Sequence, residues 1–191
     1  MTFQVIYATF MSMSDNMENK SDNQQCGKID LGPGDLRVYF LNNLDKIYAA
    51  KTHLVRHLPE IAQEAHFTDL KLAIEETCED VEKQLARMDI IYAMLEADRA
   101  QGNCSGLAGL IDDAFEDIKT HGQHPELRDL SIAFYMQNIE SIEMASFQVL
   151  EMAAVKLKNK QIKQLIRENY DEAKADRTLL LLITAKYLTS K

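Results

Sequence analysis

The sequence predicts an all-α protein built on four long helices, and three observations carry that expectation. From Asp35 onward apolar residues recur at three- and four-residue steps, the period of a helix face turned toward a core. Seven Gly and three Pro leave too few turn residues for a chain of short strands. A length of 191 residues, 46% of them hydrophobic, suits one domain with a substantial core rather than two.

Taken in order, residues 1–34 are expected to form a disordered leader, because residues 11–30 are rich in Ser, Asn, Asp and Gln. Its first residues, MTFQVIYATFMSMS, have no basic stretch ahead of the apolar part, which argues against a secretory signal. The helical domain then spans 35–190. A first helix is expected from Asp35 to Ala65, bent at Pro59, where a backbone donor is missing and the ring crowds the preceding turn. Thr68 or Asp69 is placed to cap a second helix ending near Glu96. Pro125 opens a third, to about Leu157, and a fourth follows Asn159 to about Leu188.

The joints around His66 and Asn159 are a few residues long, so each forces its two helices to lie antiparallel. Between the second and third helices lie 28 residues, 97–124. They include GNCSGLAGLIDDAFEDIKTHG, which reads as a short amphipathic helix capped at Ser105. A connection of that length can cross the molecule and leave the second and third helices parallel. Two hairpins joined by one crossover is the ferritin-like four-helix bundle. An up-down-up-down order stays open. Leu107, Leu110 and Ile111 of the short helix are expected to cover the bundle or to meet a second chain.

Composition excludes several classes of function. With 21 basic against 30 acidic residues, the net charge of −9 repels phosphate backbones, so nucleic acid is not an expected partner. The longest apolar run near the C-terminus, Leu179 to Ile183, is far too short to cross a membrane. Cys26, Cys78 and Cys104 have neither zinc-site spacing nor an even number. Free thiols fit a reducing cytoplasm, the expected location. No phosphate-binding Gly-rich loop or nucleophile elbow is present.

The informative feature is where the apolar seams turn polar. The third helix presents Ala133, Met136, Glu140, Glu143, Phe147, Leu150 and Ala154 on one face, and the fourth presents Leu165, Asn169, Glu172, Asp176, Leu179 and Ile183. The first presents Leu44, Tyr48, Lys51, Val55 and Leu58. Each seam is apolar at its ends and charged at its middle. On the second helix, Glu76 and Asp80 repeat the spacing of Glu172 and Asp176 and are preferred over Glu75 and Glu79. A solitary carboxylate on such a helix is ordinarily solvated. Four of them buried together would exceed the roughly 5–15 kcal/mol of net stability in an ordinary domain, so something must neutralise them. Iron or manganese, bound protons or facing cations would each serve. His53 and His57, four apart on the first helix, read as ordinary helix-face residues. Met136, Met144 and Met152 read as core filler.

Five segments in order resemble the YciF/YciE-like bacterial stress proteins, a branch of the ferritin-like superfamily. They are LRVYFLNNLDKIYAAKTHLVRHLPEIAQEA at 36–65, IEETCEDVEKQL at 74–85, NCSGLAGLIDDAFEDI at 103–118, QNIESIEMASF at 137–147 and LIRENYDEAKADRTLLLL at 165–182. The resemblance implies a four-helix bundle with a carboxylate-rich dinuclear metal centre, a homodimer, and a link to stress responses. On that basis Glu76, Asp80, Glu140, Glu143, Glu172 and Asp176 are the candidate metal ligands. The chain departs from the family's pattern at Lys51, where a glutamate is usual, at Ala73, where a histidine is frequent, and within Glu140-Ser141-Ile142-Glu143, which lacks the family's histidine.

The expectation is therefore a stress-associated, ferritin-like metal-binding protein whose site Lys51 alters. Its alternative is a metal-free interaction or structural bundle in which Lys51 pairs with Glu143 or a neighbour and no cofactor is held. A ferroxidase-like activity would require that the dinuclear site survive.

Overall fold

A computed structural model of the chain describes residues 31–100 and 105–189. The leader expected over 1–34 therefore lies outside the described residues apart from its last four, as do Cys26 and Cys104. The described residues from Gly32 onward form one compact unit. Among the described residues the elements are five helices: α1 (Pro33–Glu64), α2 (Thr68–Met94), α3 (Ser105–Thr120), α4 (Pro125–Lys156) and α5 (Lys160–Thr189). The sequence places the four long helices within two residues at each end, and the short one within the segment read as helical. Pro33 and Pro125 stand in the first turns of α1 and α4, where a missing N–H costs nothing. Asn159 caps α5, its side-chain oxygen accepting from the backbone N–H groups of Gln161 and Ile162 at 3.1 and 3.0 Å. Helix α1 continues through Pro59 to Glu64.

One cap differs from expectation. The residue ahead of α2 is Phe67, and no side chain from its own segment caps the helix. The acceptor comes instead from α4. Asp129, fully buried, receives the N–H of His66 at 3.0 and 2.9 Å and that of Phe67 at 2.5 Å. A carboxylate at a helix N-terminus satisfies orphan donors and the positive end of the dipole together. Asp69, one of the two residues expected to cap, pairs with Lys186 of α5 instead.

Long-range pairs give the relative directions. Asp45 of α1 meets Tyr92 of α2, and Arg37 reaches the carbonyl of Leu95, so α1 and α2 are antiparallel. Lys51 with Glu143 and Glu64 with Arg128 make α1 antiparallel to α4. Gln137 with Thr184 and Gln148 with Tyr170 do the same for α4 and α5. Helices α2 and α4 thus run parallel, and the segment between them crosses the length of the molecule. Within it, Ile111 is fully buried and Leu107 and Leu110 pack against the same core, so α3 lies over α1 and α4.

Two apolar clusters fill the interior. One holds Leu54, Leu58, Leu70, Ile74, Val81, Met136, Ile139, Leu180 and Ile183. The other holds Phe40, Leu44, Ile47, Met88, Ile91, Phe147, Leu150, Ile162 and Ile166. On the long helices the two clusters are separated by about two to four turns, and most of the buried side chains in that gap are polar.

Candidate functional site

The gap is a layer of buried polar side chains contributed by all four long helices. Lys51 stands between Ile47 and Leu54 on α1, and Gln84 between Val81 and Met88 on α2. Glu140 and Glu143 stand between Ile139 and Phe147 on α4, and Asn169 and Asp176 between Ile166 and Leu180 on α5. None is more than 4% exposed. Helical periodicity puts them there: each occupies a position whose neighbours three and four residues away are core.

At the centre, the Lys51 ammonium lies 2.5 Å from Oε2 of Glu143, and its Nζ stands 5.4 Å from the centre of the Phe147 ring. The other oxygen of Glu143, both oxygens of Glu140 and one of Asp176 have no hydrogen-bond partner. Burial, and then the charge of Glu143, hold Glu140 well above the usual carboxylate range. Asp176 is pushed up to about 7, by burial first and then by the charge of Asp80. The protonated form of Glu140 is thereby favoured, and a proton on it is placed to bond Glu143. The Lys51 ammonium and the raised pKa of Glu140 and Asp176 both reduce the negative charge that the three carboxyl groups would otherwise place in the layer.

The sequence-derived candidates divide accordingly. Lys51, Glu140, Glu143 and Asp176 are brought together. Glu172 is not, because its carboxylate turns outward into a two-pronged bond with Arg87, with both N···O distances 2.6 Å. The buried positions of α5 are Ile162, Ile166, Asn169, Ala173, Asp176, Leu180 and Ile183, so the core face passes through Ala173, one residue from Glu172. The α1 face is displaced similarly, through Ile47 and Leu54 in place of Tyr48 and Val55. Glu76 is exposed, and Asp80 is held by Lys83 at 2.7 Å. Both still stand on the side of α2 that faces Asp176, whose pKa they raise. Glu75 and Glu79 instead line a cleft on the α1 side with Leu58 and Cys78.

Of the other candidates, Met136 is core, whereas Met152 is 63% exposed and fills nothing. The rings of His53 and His57 stand 4.6 Å apart, His57 against Phe115 of α3. Cys78 is a free thiol whose pKa burial raises, which makes it a poor nucleophile. Gln84 was not anticipated. Both its side-chain polar atoms are buried without partners, and its place seven residues after buried Thr77 is the signal that would have found it.

A resident dinuclear metal is the group that the resemblance implies, and the donor set does not fit it. An ammonium occupies a ligand position and engages Glu143, Glu172 and Asp80 are committed to Arg87 and Lys83, and no histidine lies in the layer. Among the described residues no group of three or more His, Cys, Asp or Glu side chains is arranged to hold a metal ion. No helix among them is long and apolar enough to cross a membrane.

Comparison with known proteins places these features in context. The profile of a family described as a domain of unknown function, DUF892, matches residues 35–189. Protein YciF of Escherichia coli K12 is 27% identical over 137 residues, 71% of this chain and 82% of that protein. The crystal structure of the E. coli stress protein YciF superposes with a TM-score of 0.77 at 25% identity, covering 82% of this chain and 98% of that one. YcfI of Rhodopseudomonas palustris, which is proposed to be a structural protein, superposes with a TM-score of 0.71 at 25% identity, covering 83% and 96%.

Proposed function

Because the chain belongs to the DUF892 family, we propose that it is a stress-associated helical protein of ferritin-like architecture that serves a structural or interaction role. In this reading its interior acids are neutralised by a lysine and by protons in place of metal. The observation that carries it is the contact of Lys51 Nζ with Glu143 at 2.5 Å, with both side chains at most 1% exposed. A cation fixed among carboxylates repels a second cation, and either charge is tolerated in the interior only while its partner is present. The relatives named above support the stress association and the structural role. The location is read as cytoplasmic from the thiols alone.

A second reading is favoured by the orphaned oxygens of Glu140, Glu143 and Asp176: one iron or manganese ion beside Lys51. Thermal unfolding with excess ferrous or manganous ion, and with chelator, separates the two. A site that binds only the folded form stabilises it by about 2.7 kcal/mol at a hundredfold excess over Kd and so raises the midpoint. The metal-free reading expects no shift for the natural chain and a metal-dependent gain for Lys51→Glu. A rise for the natural chain would overturn it.

A further inference from the structure

His53 and His57 stand one turn apart on α1, about 40° from each other around its axis. Lys51 lies about 160° around the helix from His53, so the pair faces away from the charged layer. Helix α3 covers one flank, with the Phe115 ring 5.0 Å from that of His57. Both histidines are half-buried. Their ring centres are 4.6 Å apart, with the planes inclined at 62°.

That separation is one that a shared metal ion requires. An ion about 2.0–2.1 Å from one nitrogen of each imidazole sets the two ring centres roughly 4.5–5 Å apart. Small turns of the rings therefore suffice for chelation, and the backbone need not move. Nε2 of His53 is moreover buried without a hydrogen-bond partner, a condition that is costly to leave unmet. With the ring proton on Nδ1, that nitrogen presents a lone pair that a metal ion satisfies. The surroundings favour a cation. Asp112 and Asp113 of α3 are exposed, as is Glu60, three residues beyond His57 on the same strip of α1. Arg56, between the histidines in sequence, opposes them in charge and is exposed as well. On a chain of net charge −9 the acids prevail and raise the local concentration of cations.

We propose that His53 and His57 together bind one divalent ion of the zinc and nickel class beside α3, with water or Glu60 completing its shell. Imidazole nitrogens suit such ions, whereas the oxygen donors of the interior layer suit harder ones such as manganese. The proposal therefore does not rest on what neutralises that layer. Enclosed structural zinc sites use four protein ligands, so a site with two exchanges its ion readily.

Calorimetric titration of the full chain, kept reduced by a phosphine, with zinc chloride and with nickel chloride tests this. The expected result is one ion per chain. His53→Gln and His57→Gln should each weaken binding by at least roughly 10-fold, which even an outer partner of a metal ligand is worth. The double variant His121→Gln, His124→Gln removes the other closely spaced histidines, in the loop before α4, and should bind as the natural chain does. Circular dichroism checks each variant. Should His57→Gln lose helix, His57→Phe keeps a ring against Phe115 and takes its place. Cobalt chloride reports the donors, and the expected spectrum lacks the near-ultraviolet charge-transfer bands of a thiolate. A natural chain that binds neither zinc nor nickel would overturn the proposal. So would binding indifferent to both α1 substitutions, binding lost with the loop pair, or thiolate bands with cobalt.

Discussion

Lys51 and Glu143 form a buried ion pair that ties the middle of α1 to the middle of α4, 92 residues apart in sequence, at 2.5 Å. The contact is bracketed above and below by apolar side chains, so neither group has water to fall back on. An interior of this kind is a conditional arrangement. Each charge is tolerated because the other is present, and burial favours the protonated form of the remaining acids.

Removing one partner should therefore cost far more than removing both. Lys51→Met is expected to destabilise the fold by about 3–5 kcal/mol at pH 8, since it strands Glu143 without a cation. The double variant Lys51→Met, Glu143→Met should recover most of that loss, because well-packed apolar side chains often replace a buried pair at little cost. Urea unfolding of the two single variants and the double variant gives the coupling. A cheap Lys51→Met would mean that the ammonium spends its time in solvent.

The pH dependence has a definite sign. Asp176 has an ordinary pKa of 3.8 and is pushed up to about 7 in the folded chain, so between those values the native state binds more protons than the unfolded one. Stability should then fall as pH rises from about 4 to about 7 and level off above, with up to about 4 kcal/mol attributable to this group. Glu140, shifted in the same direction, adds to the trend. Asp176→Asn should flatten the slope and raise stability at pH 8, while changing little near pH 4. Chemical unfolding at several pH values, with chelator present, reads this directly.

Asp129 is expected to be the most sensitive position outside the charged layer. Its carboxylate accepts the N–H groups of His66 and Phe67 at the turn between α1 and α2. Asp129→Ala leaves those donors without their acceptor and should cost about 3 kcal/mol. Hydrogen exchange at the His66 and Phe67 amides should accelerate more than exchange at the middle of α2.

Lys158, just past the end of α4, has a φ of 55°, a left-handed conformation that a side chain makes unfavourable by about 1–2 kcal/mol. Lys158→Gly should raise stability by up to about 1 kcal/mol, as glycine is suited to this position after a helix. Thermal unfolding checks it. The three-residue joint from Leu157 to Asn159 keeps its geometry in either case.

The boundaries of the helices were legible because their signals are local. Pro125 opens α4, Asn159 caps α5, and the three- and four-residue spacing of Leu, Ile and Val marks what lies between. The level of the charged layer was legible too: Glu140 and Glu143 interrupt an otherwise apolar face, and all seven residues read as the α4 seam are buried. Glu172 was misassigned for a physical reason. A face read from one helix alone is uncertain by about one residue, or 100° of rotation, and on α5 that places Ala173 inside and Glu172 beside Arg87. The Asp129 cap was illegible because its acceptor and donors are more than sixty residues apart.

The sequence by itself determined that this protein is helical, where each helix starts and stops, and that acids and one lysine fall at the same height along them. Those properties follow from backbone capping and from a period that every helix carries in its own residues. Only the tertiary structure decided which of the charges meet. Rotation of a helix about its axis is set by the packing of its neighbours, and that rotation turned Lys51 to Glu143, Glu172 to Arg87, and His57 to Phe115.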